Sequence, residues 1–388
     1  MRVLMAQPIK LFISVGEESA DLHASKLCEE LKQRQPNIEL FGFGGGKMKK
    51  AGVDILYPLP DLALIGFVEV IKHLPSVFHV KKLALQAWEE RKPDAVLLVD
   101  YPGFHFRLAE EAAKRGIPVY YFIAPQVWAW RESRIEKMRK WLKHLYVIFP
   151  FEEAYFQRHG LPCTYVGHPL LDRIPQPDPN TQFDAARLQN PRIGLLPGSR
   201  KNELNHLLPA MLKAAAILRE KKPNARFLLP LADTMDEAYL NRFEIPSWIE
   251  VCRDTHYQRR RQIDFAWTAS GTATVENALL GIPMAVVYRT NPINIAIGRR
   301  LIRIAYIGMV NLIAEKGICP EFIQEQCQPA LLARYADALL SSSERYREML
   351  ADLKRVREKM GEEQASRKTA RLLLQHMQAP QEEASSGR

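Results

Sequence analysis

Ala95-Val-Leu-Leu-Val-Asp-Tyr-Pro-Gly-Phe104 is the stretch whose reading decides the fold. Its first five residues are apolar without alternation, the pattern of a short strand buried on both faces. Asp100 ends that strand, and Pro102 with Gly103 turns the chain. Helical periodicity over 106–114 and a second apolar run over 118–123 complete a strand–helix–strand unit. Such a unit implies neighbouring parallel strands with a helix packed across them. Towards the N-terminus the unit repeats: a strand over 9–15 ends at Gly16, a helix covers 20–33, and a strand over 39–43 runs into Gly44-Gly45-Gly46. Towards the C-terminus a further strand falls at 145–149.

The texture changes at Ile174-Pro-Gln-Pro-Asp-Pro-Asn180, a proline-rich polar stretch suited to a linker. Alternation then resumes, with strands expected over 192–196, 226–230, 265–269 and 284–288 and helices over 203–220 and 272–280. The expected fold class is therefore α/β, two Rossmann-like domains with parallel sheets facing a central cleft. The boundaries read as an N-terminal domain 1–170, a linker 171–190, a C-terminal domain 191–342, a charged amphipathic helical segment 343–378 and a disordered tail 379–388. A length of 388 residues suits two domains.

Composition narrows the partners. The net charge of +10 fits an anionic substrate, an anionic membrane face or nucleic acid. No helix-turn-helix, RNA-binding consensus or zinc-finger spacing supports the last. No apolar run approaches the ~18 residues of a membrane span, and the start lacks the apolar core of a secretory signal, so a cytoplasmic protein is expected. Cys28, Cys163, Cys252, Cys319 and Cys327 are widely spaced and form no C-x-x-C pair, which suggests neither a disulfide framework nor a zinc site.

Five constellations carry candidate chemistry. Asp100, at the end of a buried strand, is placed to take a proton from an attacking hydroxyl; the plainer alternative is a residue that caps its own turn. Leu195-Leu-Pro-Gly-Ser-Arg200 leads a strand into a helix start whose N–H groups, at Ser199 and beyond, can meet phosphate, with Arg200 adding a fork suited to a diphosphate. It also reads as an ordinary turn. Ala269-Ser-Gly-Thr-Ala-Thr-Val-Glu276 repeats the pattern: Ser270 or Thr272 can cap, Gly271 turns, and Glu276 can accept from two ribose hydroxyls. A plain capped helix is the alternative. The glycine-bearing loops Gly16-Glu17-Glu-Ser19-Ala-Asp21 and Gly42–Met48, with Gly45 and Lys47, lie at strand ends on the side of Asp100 and can line an acceptor site. Finally, Ile65, Phe67, Val68, Ile71, Leu74, Val77 and Phe78 gather apolar bulk beside Lys72, Lys81 and Lys82, which fits docking to anionic headgroups as well as a core-facing helix. The basic stretch 131–144 is open to the same two readings. Neither a P-loop nor a complete G-x-G-x-x-G is present.

Taken together, Gly16–Asp21, Gly44–Met48, Leu64-Ile-Gly-Phe-Val-Glu-Val70, Val99–Phe104, Pro125-Gln-Val-Trp-Ala-Trp-Arg131, Pro150-Phe-Glu152, Val166-Gly-His-Pro169, Leu196–Arg200, Ala269–Glu276 and Val310-Asn-Leu-Ile-Ala314 resemble the lipid-A-disaccharide synthase family, in that family's order. The resemblance implies a GT-B fold and an inverting transfer from UDP-2,3-diacylglucosamine to 2,3-diacylglucosamine 1-phosphate, without metal or other cofactor. The absence of any Asp-x-Asp is consistent with that. It also implies Asp100 as general base, Arg200 on the diphosphate, Glu276 and Asn311 in the nucleotide site, and the 65–78 stretch as a membrane-docking surface on the cytoplasmic face of the inner membrane. A homodimer exchanging C-terminal segments is a further implication. Two departures stand out: Ala20 replaces the family's second glycine of the first loop, and Gly46 replaces a proline. An epimerase or a polyprenyl-acceptor transferase acting on UDP-N-acetylglucosamine, and a non-catalytic nucleotide-sugar-binding membrane scaffold, are the alternative readings.

Overall fold

The computed structural model describes residues 8–58, 74–129, 132–174, 184–231, 235–291, 305–361 and 364–378. The chain divides into two units, Met1–Pro169 with Glu363–Arg388, and Leu170–Glu362.

In the first unit the strands are β1 (Lys10–Val15), β2 (Glu39–Gly44), β3 (Asp54–Pro58), β4 (Ala95–Val99), β5 (Val119–Phe122), β6 (His144–Val147) and β7 (Cys163–Tyr165). All pair parallel in the order β3-β2-β1-β4-β5-β6-β7. The helices are α1 (Glu18–Arg34), α2 (Gly46–Lys50), α3 (Leu74–Arg91), α4 (Pro102–Lys114), α5 (Ile135–Trp141) and α6 (Pro150–Arg158). The middle strand β4 is buried at every position, as its unbroken apolar run requires. Phe12 anchors one face of the sheet, edge-on to Phe41, Phe43 and Trp88 at centroid distances of 5.6, 5.2 and 5.4 Å.

The second unit repeats the plan with β8 (Arg192–Leu196), β9 (Arg226–Leu231), β10 (Ile249–Arg253), β11 (Phe265–Ala269), β12 (Met284–Tyr288) and β13 (Glu321–Ile323), ordered β10-β9-β8-β11-β12-β13 and parallel throughout. Around it lie α7 (Lys201–Lys221), α8 (Thr272–Leu280), α9 (Met309–Ala314), α10 (Pro329–Leu340) and α11 (Ser343–Lys359).

The amphipathic stretch 343–378 is two helices. Helix α11 ends at Lys359, with Gly361 beyond it at φ +75°, and belongs to the second unit, where Arg357 donates to the carbonyl of Leu279. Helix α12 (Ala365–Gln378) packs on α1 of the same chain and buries Thr369, Ala370, Leu373 and Leu374. Its His376 ring accepts or donates a hydrogen bond with the Tyr146 hydroxyl at 2.8 Å. The tail 379–388 lies outside the described residues.

Candidate active site

Each sheet reverses its strand order once, between β1 and β4 in the first unit and between β8 and β11 in the second. Loops that leave neighbouring strands at such a point part to opposite faces, and ligands of open α/β sheets bind in the crevice so formed. The candidate residues fall at both points.

At the first, the loops after β1 and β4 meet through Gly16 and Tyr101. A methyl group on Gly16 would stand 2.0 Å from the Tyr101 ring, so glycine is required here for space. Asp100 and Tyr101 both take left-handed backbone, with φ of +53° and +52°. Two consecutive non-glycine residues in that region cost about 1–3 kcal/mol each and hold only when their surroundings fix them. They are fixed: the Asp100 N–H donates to the Phe122 carbonyl at 3.0 Å, and its own carbonyl accepts from Tyr121 Oη and His105 Nδ1. Since a carbonyl only accepts, His105 carries its proton on Nδ1, and its Nε2 accepts from the buried Ser14 hydroxyl at 2.9 Å. Burial lowers the His105 pKa to about 4, against the opposing pull of the Asp100 carbonyl, so the ring is neutral. Burial, with Glu17 nearby, raises that of Tyr101 to about 12.

The two glycine-bearing loops expected on the acceptor side are brought together by Asp21. This buried carboxylate, on α1, accepts from the backbone N–H groups of Gly45, Lys47 and Met48 at 2.8, 3.0 and 3.2 Å. Asp21 thereby caps α2 from another element, a structural task that the sequence does not announce. Glu17, at the N-cap of α1, and Ser19 in its first turn are exposed. Ala20 is helical and buried, so the left-handed conformation for which a glycine there would be kept does not arise. Lys47 lies in α2 and is exposed.

Sequence reasoning passed over Glu152, which joins two motifs of this unit. Its carboxylate accepts from Trp128 Nε1 at 3.0 Å and from the N–H groups of Phe149 and Ile148 at 3.0 and 3.2 Å. Burial nonetheless raises its pKa to about 7, the three donors pulling the other way. A Glu two places after Pro150, at the third position of α6, is the local signal that reveals it.

At the second switch point the two expected phosphate turns differ. The N–H groups of Ser199 and Arg200, expected to face a phosphate, instead donate to Glu203 at 3.0 and 3.2 Å. This is the reach-back of a capping box, which closes the turn of α7 with the helix's own carboxylate. Arg200 itself is exposed, and among the described residues it makes a loose 3.7 Å ion pair with Glu203. The start of α8 is different. Neither Ser270 nor Thr272 caps it; Gly271 holds φ +108°, and no described atom lies within 4 Å of where its Cβ would be. The Thr274 hydroxyl turns back onto the Gly271 carbonyl at 2.7 Å. Arg200 follows β8 and Gly271 follows β11, two strands that pair directly.

Glu276 lies one turn into α8 with a half-shielded carboxylate, 18% exposed, hydrogen-bonded by Tyr257 at 2.8 Å and Arg260 at 2.6 Å. Asn311 is fully buried. Its amide donates to the Cys319 carbonyl and Glu321, each at 2.8 Å, and accepts from the Cys319 N–H at 2.9 Å. Glu321 in turn accepts from the N–H groups of Ile307 and Gly308 at 2.9 and 2.8 Å. Asn311 thus ties α9 to the segment around Cys319 and Glu321, with its amide hydrogens donated within the chain.

Of the apolar patch, Ile65, Phe67, Val68 and Ile71 lie outside the described residues, as do the side chains of Leu74 and Val77; Phe78, on α3, is 60% exposed. Trp130 and Arg131 are also outside them. Among the described residues no helix is long and apolar enough to cross a membrane.

Two doubly wound parallel sheets, each with its candidate residues at the strand-order reversal, define a GT-B protein. Solved structures of that shape include the kitacinnamycin glycosyltransferase, at TM-score 0.63 and 15% identity over 96% of this chain and 100% of that one. Another is the UDP-GlcNAc 2-epimerase of Neisseria meningitidis bound to UDP-GlcNAc, at 0.59 and 13% over 95% and 99%. At such identities the likeness is one of fold. The sequence goes further: the lipid-A-disaccharide synthetase family profile matches residues 11–376. Lipid-A-disaccharide synthases of Syntrophotalea carbinolica and Syntrophus aciditrophicus are 39% and 38% identical, covering 95% and 94% of this chain and 95% and 97% of theirs. The chain belongs to the lipid-A-disaccharide synthase family and is a glycosyltransferase of lipid A biosynthesis.

Proposed function

We propose that the chain joins UDP-2,3-diacylglucosamine to 2,3-diacylglucosamine 1-phosphate with inversion, forming the β-1′,6-linked disaccharide 1-phosphate and UDP. The observation that carries this reading is the open helix start at Gly271, with the exposed Arg200 after the paired strand β8. Negative charge grows on the UDP diphosphate as the glycosidic bond breaks. A helix N-terminus and a guanidinium stabilise it where it develops. The diphosphate is assigned to α8 rather than α7, whose first N–H groups are already held by Glu203. Glu276 receives the ribose hydroxyls. Asp100, on its fixed left-handed turn, takes the proton of the acceptor 6-hydroxyl as that oxygen bonds to the donor anomeric carbon; the electron pair of the broken bond leaves with UDP. Gly45 and Lys47, tied to α1 by Asp21, stand on the acceptor side. Phe78 and the apolar residues before it meet the lipid surface from which both acylated substrates come, which places the enzyme on the cytoplasmic face of the inner membrane. The exchange of C-terminal segments in a dimer is a further part of the reading.

UDP release measured with acylated and deacylated donor and acceptor tests the substrate assignment. Release is expected only when both carry acyl chains, and equal rates with UDP-N-acetylglucosamine would overturn it.

A further inference from the structure

Behind Glu276 stands a second layer that the reaction as proposed does not use. Arg260, on the turn that precedes β11, is 9% exposed and spreads its guanidinium over the first turn of α8. Nη1 donates to Glu276 Oε2 at 2.6 Å, Nη2 to the Ala273 carbonyl at 2.9 Å, and Nε to Asn277 Oδ1 at 2.8 Å. Asn277 is itself fully buried and passes the constraint to the sheet, donating to Thr268 Oγ1 of β11 at 2.7 Å. The Arg260 backbone N–H is held by Asp254 at 2.6 Å. Tyr257 supplies the other side of the clamp: its hydroxyl donates to Glu276 Oε1 at 2.8 Å, from a residue in left-handed backbone at φ +59°. Burial first, and the Glu276 charge second, raise the Tyr257 pKa well above its ordinary value, so it remains a donor.

A buried ion pair is a poor source of net stability, because desolvating two charges offsets their attraction. What a planar fork with three directed donors supplies is orientation. Arg260 and Tyr257 each take one lone pair, on different oxygens of Glu276, and among the described residues one lone pair remains on each oxygen. A carboxylate immobilised with one acceptor site left on each oxygen matches two vicinal hydroxyls. We propose that Arg260 and Tyr257 are positioning residues that aim Glu276 at the ribose diol of the nucleotide donor. The inference rests on the assignment of Glu276 to the ribose.

Calorimetric binding of UDP and of 2′,3′-dideoxy-UDP to the full chain tests it. Wild type is expected to favour UDP by about tenfold or more, since hydrogen bonds to a charged group are the stronger kind. Tyr257→Phe should shrink that preference several-fold, and Arg260→Gln should bring it close to unity. Arg260→Lys, which keeps the charge without the fork, should restore only part of it. Affinity for the dideoxy analogue should stay within about twofold throughout, whereas a merely structural role would lower both affinities together. An undiminished preference in Tyr257→Phe, or a parallel loss for both nucleotides, would overturn the proposal. Tyr257→Phe decides the matter alone if Arg260→Gln does not fold. Glu276→Gln separates the two layers. If it leaves the wild-type preference intact, the ribose assignment fails and takes the proposal with it. If it abolishes the preference while the Tyr257 and Arg260 variants retain it, the proposal alone fails.

Discussion

Gly16 and Gly271 both lie in loops where strand order reverses, the first after β1 and the second after β11, yet they are glycines for opposite reasons. Gly16 has an ordinary backbone and no room, because the Tyr101 ring lies across it. Gly271 has no described residue packed within 4 Å of where a Cβ would stand, and a backbone, at φ +108°, that other residues rarely adopt. One loop is packed shut around a strained carboxylate-bearing turn; the other is held open in a conformation that exposes a helix start. A packed turn fixes the direction of a single group, which suits a base. An open turn of N–H groups leaves space for a charged ligand, which suits a leaving group.

The largest expected effect removes the group that the packed side presents. Asp100→Ala should lower transfer on the order of 10²–10⁴-fold, the usual contribution of a general base, while UDP affinity changes only a few-fold. Transfer near the wild-type rate would remove Asp100 from the chemistry and leave the packed turn as scaffold.

The histidine under that turn sets a second test. The pKa of His105 is held at about 4, below its unfolded value of about 6.5, so the unfolded chain binds the proton more readily. Its stabilising contribution is complete above pH 6.5 and is lost as pH falls towards 4. By that shift the loss is roughly 3 kcal/mol. Urea unfolding of wild type and His105→Asn across this window should converge as pH falls. Parallel curves would show that His105 does not carry the dependence. His168, whose pKa burial lowers to about 3, shares the same sign in both chains and cancels in the difference.

Alanine at the two glycines sharpens the contrast directly. Gly16→Ala should destabilise by about 1–3 kcal/mol through overpacking, and adding Tyr101→Ala should recover most of that, because the nearest atoms to the new methyl all belong to the ring. Gly271→Ala should cost a similar amount, about 1–3 kcal/mol, through backbone strain. No neighbouring truncation should rescue it, and UDP affinity should fall with it. Rescue of Gly271→Ala by a neighbour, or a failure to rescue Gly16→Ala, would show that the two loops do not differ in the way described.

The central strands were legible because their residues are buried on both faces, and the runs over 95–99 and 265–269 coincide with β4 and β11. The strands β3, β7, β10 and β13 escaped notice for the converse reason. They flank the sheets, are three to five residues long and half exposed, and carry no continuous apolar run. Site residues divide in the same manner. Asp100 and the Ser270–Thr272 turn follow buried strands and can be located by counting from them. What their neighbours do is set by contacts between distant segments: Asp21 reaches residues 24 to 27 positions away, and Arg260 reaches α8 from the preceding turn. No local periodicity encodes such a pairing, so the sequence shows a carboxylate near a glycine loop without showing that the carboxylate is already occupied.

That occupied carboxylate leads to the smallest predicted effect, at Gly46. The residue opens α2, directly after an N-cap Gly45 with extended backbone at φ −107° and ψ −168°. Asp21 accepts from the N–H groups on either side, those of Gly45, Lys47 and Met48. The first helical position is where proline loses nothing, since its missing N–H has no helical partner there. Extended backbone before it is what proline demands of its predecessor, and no described atom lies within 4 Å of the Cβ it would add. Gly46→Pro should therefore stabilise the chain by about 0.4–1 kcal/mol, by restricting the unfolded state, with transfer activity unchanged. A loss of stability would mean that the capped loop needs the freedom of glycine at this position, and the packed side of the molecule would then be less rigid than its hydrogen bonds imply.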